Sequence, residues 1–308
     1  MKINPTKSEA ILFPAGRAEM NSTLKIDGQY LELKREVKYL GIWLDQKLKW
    51  QKQISSIAAK AARLKNRLAT LFGRARAISP EDRRRINTAV LEPKLTYGCE
   101  VWAECLKYEK YCKILNSAQR GLLIWTVNAY RTCSRIKARY MTQFTTLSAR
   151  CKAIRAAHTA KKTGTVRIGP LSYNKDQNGK WKGQGPFKEY TLTTRHLKRV
   201  VGRHYYAGEE PRMNEGKPAW IDFTDIPPIN VCGPTTTQFL TGHGAFGEYL
   251  SRMNIISASG CVLCGNGIES AEHLMLHCQG TSDIRRSNYI TREGDMLKLT
   301  HKNTQDFT

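Results

Sequence analysis

The chain has 308 residues, 41% of them hydrophobic, which suits two domains with packed cores and excludes wholesale disorder. Lys and Arg number 50 against 26 Asp and Glu, a formal net charge of +24 with a pI near 9.8. A charge this large repels itself in a compact chain and points to a polyanionic partner, of which nucleic acid is the commonest. No run of 18 apolar residues occurs, so no membrane span or membrane partner is expected. The stretch from Met1 to Pro5 lacks the apolar core of a secretory signal. Nine scattered cysteines, an odd number, indicate an intracellular, reducing setting in which Cys serves as core residue or metal ligand.

Residues 1–48 read as strands. Ala10 to Phe13 is a short apolar run, and Asp27-Gly28 between Leu24 to Ile26 and Tyr30 to Leu33 is a two-residue hairpin signal. Val37 to Leu44 is a second apolar run, containing Gly41. Residues 49–134 read as helices. Ile54, Ile57, Ala58, Ala61, Leu64, Leu68 and Leu71 recur at three- and four-residue spacing, with Lys60, Arg63, Lys65 and Arg67 mostly between them. Gly73 ends that helix. Ser79 caps the next, with Pro80 at its first position and acids in its first turn. A third helix is expected from about Lys107 to Asn128, completing a small basic bundle. Residues 135–225 show weak apolar periodicity and are expected to be poorly ordered, with Asn174 to Lys180 a loop. A helical pattern returns through Phe239, Leu240, Phe246, Tyr249 and Leu250. Gly242-His243-Gly244 reads as a turn with a polar contact, and Cys99, Cys105 and Cys112 as small core residues. Residues 287–308 form a polar tail.

Cys261, Cys264, His273 and Cys278 are the sharpest chemical signal. A two-residue gap lets Cys261 and Cys264 reach one ion from a single turn, which Gly265 and Gly267 permit. The stretch Glu269 to Cys278 is expected to be helical, with His273 and Cys278 facing the ion near its end. Three thiolates and one imidazole suit tetrahedral zinc, and four protein ligands leave no open position, so the zinc is structural. His277 is the rival to His273, but it adjoins Cys278. Loss of the ion is expected to unfold only the last 50 or so residues.

Several segments together carry a resemblance. Asn4 to Phe13 resembles the late palm of non-LTR retrotransposon reverse transcriptases. Lys38 to Asp45 looks like the hairpin with which those enzymes grip the primer end. Leu91 to Trp102 is similar to their thumb helix, and Gln119-Arg120 and Ala129 to Thr132 continue the pattern. Thr237 to Phe246 and the Cys-Cys-His-Cys cluster resemble the C-terminal region of the type-1 elements that insert into arthropod ribosomal genes, and of their jockey-like relatives. The likeness is read over 1–134 and 226–286. It fades between, which suggests that 135–225 is a degenerate or frame-shifted connector.

The resemblance implies an α+β chain. Residues 1–48 are the palm end and primer-grip hairpin, 49–134 a helical thumb, and 226–286 a zinc module. The parent is an RNA-directed DNA polymerase with an endonuclease elsewhere. Nucleic-acid contact is implied for Lys7, Lys38, Tyr39 and Gly41, with basic thumb positions Lys60, Arg63, Arg67, Arg74, Arg83 and Arg84 holding phosphates. RNA and DNA are the partners, with the upstream polymerase region, and nuclear action on target DNA follows. The 308 residues contain no aromatic-x-Asp-Asp box, so no catalytic residue is assigned, and Mg2+ chemistry belongs to the parent's polymerase centre. The alternative is a non-catalytic nucleic-acid-binding zinc protein, and a third reading is a protein-binding zinc module.

Overall fold

A computed structural model describes residues 4, 7–13, 24–72, 78–168, 171–184, 189–192, 194–207, 221–222, 234–287, 292–293 and 296–298. In chain order it holds hairpins β1 (Leu24–Ile26) to β2 (Gln29–Leu31) and β3 (Glu36–Tyr39) to β4 (Ile42–Asp45), then α1 (Gln51–Phe72) and α2 (Pro80–Ile86). A widened π-type stretch, Asn87–Leu91, leads to α3 (Glu92–Thr96), α4 (Cys99–Trp102) and α5 (Glu109–Thr126). Next come α6 (Arg135–Thr142), α7 (Leu147–Thr163), the meander β5 (Thr165–Ile168), β6 (Leu171–Lys175), β7 (Trp181–Gln184) and β8 (Glu189–Leu192), and α8 (Thr194–Ala207). The rest comprises β9 (Ile221–Asp222), α9 (Pro234–Thr241), α10 (Gly247–Arg252), α11 (Ser282–Ser287), β10 (Arg292–Glu293) and β11 (Met296–Lys298). The architecture is α+β with small sheets. The chain forms two compact units: Met1–Lys60, Thr96–Asn116 and Arg150–Tyr205 in the first, and Ala61–Leu95, Ser117–Ala149 and Tyr206–Thr308 in the second.

In the first unit both hairpins turn on left-handed residue pairs, the geometry that matches strand twist. Asp27 and Gly28 have φ of 47° and 77°; Leu40 and Gly41 have 45° and 85°. A leucine in that region is strained. The turn is held by Tyr97, whose hydroxyl donates to the Leu40 carbonyl at 3.2 Å. Asp45 then accepts from the Lys49 and Trp50 amides (2.8 and 2.7 Å), fixing the entry to α1, while Gln53 of α1 accepts from the Trp43 amide. Ile54 and Ile57 are buried, as the periodicity requires, and so are Trp102, Cys99 and Cys105. Burial, with Cys112 alongside, pushes the Cys105 thiol up to about 12, so it stays protonated as a core group. The Ala10 to Phe13 run forms only an isolated bridge, Ala10 to Leu33.

The expectation of an irregular segment at 135–225 is corrected over 135–207, where helices α6, α7 and α8 and a four-stranded antiparallel meander stand. Val166, Ile168, Tyr173 and Trp181 pack with Ala160, Leu197 and Val201 into a separate core. The Asn174 to Lys180 loop is a tight hairpin turn, closed by the Asp176 carboxylate accepting from the Asn178 and Lys180 amides and by Gly179 at φ 75°.

In the second unit the Ser79 hydroxyl accepts from the Asp82 amide at 3.0 Å, capping α2 as expected. The main core joins Leu123 and Val127 of the α5 end, Ala138 and Met141 of α6, Leu240 of α9, Phe246, Tyr249 of α10, and Ala271 and Leu276 beside the cysteine cluster. This core runs across all three segments that the sequence divides at 134 and 226. The helical pattern of 234–250 is interrupted at Gly242 (φ 65°), leaving α9 and α10 as separate short helices.

Candidate metal centre

Cys261 and Cys264 lie on a tight turn. The Gly265 amide donates to the Cys261 carbonyl (2.9 Å) and the Cys261 amide to the Gly267 carbonyl (3.0 Å). Gly265 and Gly267 have φ of 72° and 75°, a conformation that side chains resist. Glu269, which sequence reasoning passed over, ties this turn to α10: its carboxylate accepts from the amides of Val262 and Gly247. His273 opens a π-type stretch, His273–His277, whose wide turn closes with the Cys278 amide donating to the His273 carbonyl at 2.7 Å. In a regular α-helix five residues would rotate Cys278 roughly 140° away from His273. The wider turn instead brings both side chains to one side, a use typical of π-bulges.

The four ligand atoms of Cys261, Cys264, His273 and Cys278 lie within 4.8 Å of one another. The Cys261 and Cys278 sulfurs are 3.7 Å apart, and the Cys264 sulfur is 3.3 Å from His273 Nε2. A tetrahedral ion with metal–sulfur bonds of about 2.3 Å sets sulfurs about 3.8 Å apart. The donor set therefore fits a single tetrahedral ion. Burial raises the Cys261 thiol. Burial alone would raise Cys278 too, but hydrogen bonds from the Cys261 and Cys264 side chains and from the Gly280 and Thr281 backbone outweigh it and lower this thiol. His277 is exposed and stands outside the cluster.

The positions implied as nucleic-acid contacts fall into groups. Lys38, Tyr39 and Gly41 share the β3–β4 hairpin, with Tyr39 65% exposed at its tip. Lys60, Arg63 and Arg67 form a stripe along α1, and Arg63 and Arg67 are exposed. Lys7 is exposed near the start of the chain, and Arg74 lies outside the described residues. Arg83 and Arg84 depart from the expectation. Arg83 is buried, donates to the Trp125 carbonyl and stacks over the Trp125 ring; Arg84 donates to the Thr142 carbonyl and lies over Phe144. Both guanidiniums fasten the fold because buried carbonyls need donors.

Two further contacts give roles to segments known only as motifs. Gln119 donates to the Thr145 carbonyl and accepts from the Leu147 amide, while Arg120 donates to the carbonyls of Arg131 and Cys133. His243 Nδ1 lies 2.9 Å from the Thr132 hydroxyl, which is 2.8 Å from the Tyr249 hydroxyl, and the His243 and Tyr249 rings stack. Burial, with Lys137 and Arg252 nearby, pushes His243 down to about 4, so it is neutral at pH 7.

No family model matches the chain, and no solved structure matches it. The chain is 22% identical over 281 residues to the 115 kDa protein of the type-1 retrotransposable element R1DM of Drosophila melanogaster, covering 91% of this chain and 27% of that protein. It is 22% identical over 286 residues to the retrovirus-related Pol polyprotein of element R1 4 of Nasonia vitripennis, covering 86% of this chain and 66% of that one. The R1 Pol polyprotein of Bradysia coprophila is likewise 22% identical, over 86% of this chain and 26% of its own length. The chain is thus similar to polyproteins of type-1 R1 retrotransposable elements, and it spans from about a quarter to two thirds of their length. A match over 91% of the chain runs through its middle, so the likeness is not confined to 1–134 and 226–286. Among the described residues, no helix is long and apolar enough to cross a membrane.

Proposed function

We propose that the chain is the nucleic-acid-holding part of an R1-type RNA-directed DNA polymerase. The likeness to R1 polyproteins over most of the chain carries this reading, and the net charge of +24 supports it. In this reading 1–48 is the palm end, 49–134 the thumb, and 226–286 a metal module. The β3–β4 hairpin offers Lys38 and the close backbone approach of Gly41 to a primer strand. Lys60, Arg63 and Arg67 line phosphates along α1 without reading sequence. The Cys-Cys-His-Cys cluster takes zinc, because three thiolates and an imidazole at tetrahedral spacing suit that ion, and a filled ligand set makes it structural. Polymerisation requires paired carboxylates holding Mg2+, which the reading assigns to the upstream part of the parent. The natural setting is the nucleus, where target DNA lies.

Binding of the whole chain to an RNA–DNA heteroduplex should weaken on the order of 10³-fold between 50 and 200 mM salt if six phosphates are contacted. Converting Lys60, Arg63 and Arg67 together to Gln should reduce the slope of log affinity against log salt by up to about 3. A salt-independent affinity would remove the reading.

A further inference from the structure

The positive charge is concentrated in a region that the thumb and metal-module reading does not use. Residues 150–207 hold fourteen Lys and Arg against Asp176 and Glu189, half of the net +24 in less than a fifth of the chain. Within this stretch α7, β5 and β6 wall a groove of about 580 Å3, inside the range that takes a nucleotide-sized ligand (~300–1,000 Å3). Lys152, Arg155, Ala156, Thr159, Ala160 and Thr163 recur at one-, three- and four-residue spacing, so one face of α7 lines the groove over twelve residues, roughly 16 Å. The opposite wall is the polar face of the sheet. Thr165 pairs with Asn174 and Arg167 with Ser172, while Ile168 and Tyr173 turn to the apolar core behind. Tyr205 adds an aromatic ring to the lining.

Among the described residues that line the groove, none is a carboxylate. Arg155 pairs through Nη2 with Glu104 at 2.8 Å, outside the lining, and its Nη1 is buried with no hydrogen-bond partner. A buried donor without an acceptor is unfavourable, and an anionic oxygen drawn into the groove supplies one.

We propose that the groove between α7 and the β5–β6 hairpin binds the phosphodiester backbone of a single nucleic-acid strand, through Lys152, Arg155 and Arg167. Hydroxyl and amide side chains of Thr159, Ser172 and Asn174 stand where they can donate to phosphate oxygens. The concavity selects a single strand, because a duplex would meet only the rim. Tyr205 offers an unpaired base a ring to stack on, a contact that every base can make. The site is separate from the α1 stripe and the β3–β4 hairpin, and it rests on the Proposed function only in that the chain meets nucleic acid.

The test uses the full chain and fluorescence anisotropy with labelled single-stranded 12-mers, one RNA and one DNA. The variant Lys152→Gln/Arg155→Gln/Arg167→Gln is compared with Lys161→Gln/Lys162→Gln/Lys182→Gln, which removes the same charge from exposed positions outside the groove. The groove variant should lower the salt slope by about 2, at about 0.7 per phosphate on a single strand, while the matched variant changes it less than half as much. Equal effects of the two triples overturn the groove, because net charge would then explain everything. Should the loss of Arg155 disturb folding, Lys152→Gln/Arg167→Gln keeps its pair with Glu104, and this double variant must still lower the slope by about 1.4. Comparison of the RNA and DNA probes tells which strand the groove prefers. Wild-type protein that ignores both strands and the heteroduplex would refute the Proposed function as well. A binding chain indifferent to the groove variants refutes only the groove.

Discussion

With zinc held by the cysteine cluster as proposed, its removal should loosen α5 and α6 as well as the cysteine turn. Structural zinc sites contribute about 10–16 kcal/mol in small peptides, comparable with the entire stability of a domain, about 5–15 kcal/mol. The turn at 261–278 therefore has no reason to stay folded once the ion is gone. Ala271 and Leu276 lie in the same buried core as Leu123, Val127, Ala138 and Met141, with Leu274 and Met275 packed at its edge. Withdrawing Leu276 alone resembles a large-to-small core change, about 2–5 kcal/mol. At 1.4 kcal/mol per factor of ten, opening of the α5 end and α6 should rise from about 30-fold to a few thousand-fold. Hydrogen exchange with and without a zinc chelator measures this directly on peptides from 122–141, with the β5–β8 meander as an internal reference. Loss of protection at 261–278 with 122–141 unchanged would refute the shared-core argument, and would restore the expectation that only the last 50 or so residues depend on the ion.

Two other outcomes follow from buried polar contacts. Asn87 donates to Thr126 at 2.9 Å inside the second unit, so Thr126→Val leaves a buried amide without its acceptor and should cost about 1–3 kcal/mol in denaturant unfolding. Adding Asn87→Leu should recover part of that loss; a double variant no better than Thr126→Val would show that the bond is not what matters. His243 is pushed from 6.5 down to about 4, first by burial and then by Lys137 and Arg252. Between these values the unfolded chain binds more protons than the folded one, so stability is full above about pH 6.5 and falls as pH drops toward 4. The pH dependence of Tm across this window should flatten in His243→Gln, and an identical profile in the variant would assign it to other groups.

What the sequence discloses here depends on whether the signal is local. The Asp27-Gly28 turn, the Ser79-Pro80 helix start and the apolar stripe of α1 are each set by neighbours within a few residues, and each stands where expected, except that Leu71 at the end of the stripe is exposed. The cysteine spacing is local too, since a two-residue gap needs only one turn. The meander was illegible because its strands are four or five residues long and their alternation is submerged in Lys and Arg. Helix α7 hides for another reason: much of its buried face is Ala149, Cys151, Ala153 and Ala160, which raise hydropathy little. Arg83 and Arg84 looked like a basic surface, but their carbonyl partners lie 42 and 58 residues away, and no local pattern encodes that. Leu40 in a left-handed turn is likewise intelligible only with Tyr97 in place, 57 residues on.

The distribution of charge shifts the weight of the functional argument away from the metal cluster. Residues 49–134 hold seventeen Lys and Arg against six acids, and 150–207 hold fourteen against two. Residues 208–308, which contain the cluster, hold eight against twelve, a net of −4. A polyanion is drawn by the summed field of the surface, so the pull comes from the helical stretch and the meander. The cysteine turn presents Val262, 86% exposed, with Leu263 and Ile268, and these side chains offer no charge to a phosphate. The cluster's clearest physical consequence is in the fold. Ala271 and Leu276, on and beside its His-Cys arm, lie in the core that also holds the ends of α5 and α6, so the cluster steadies one edge of the basic helical stretch.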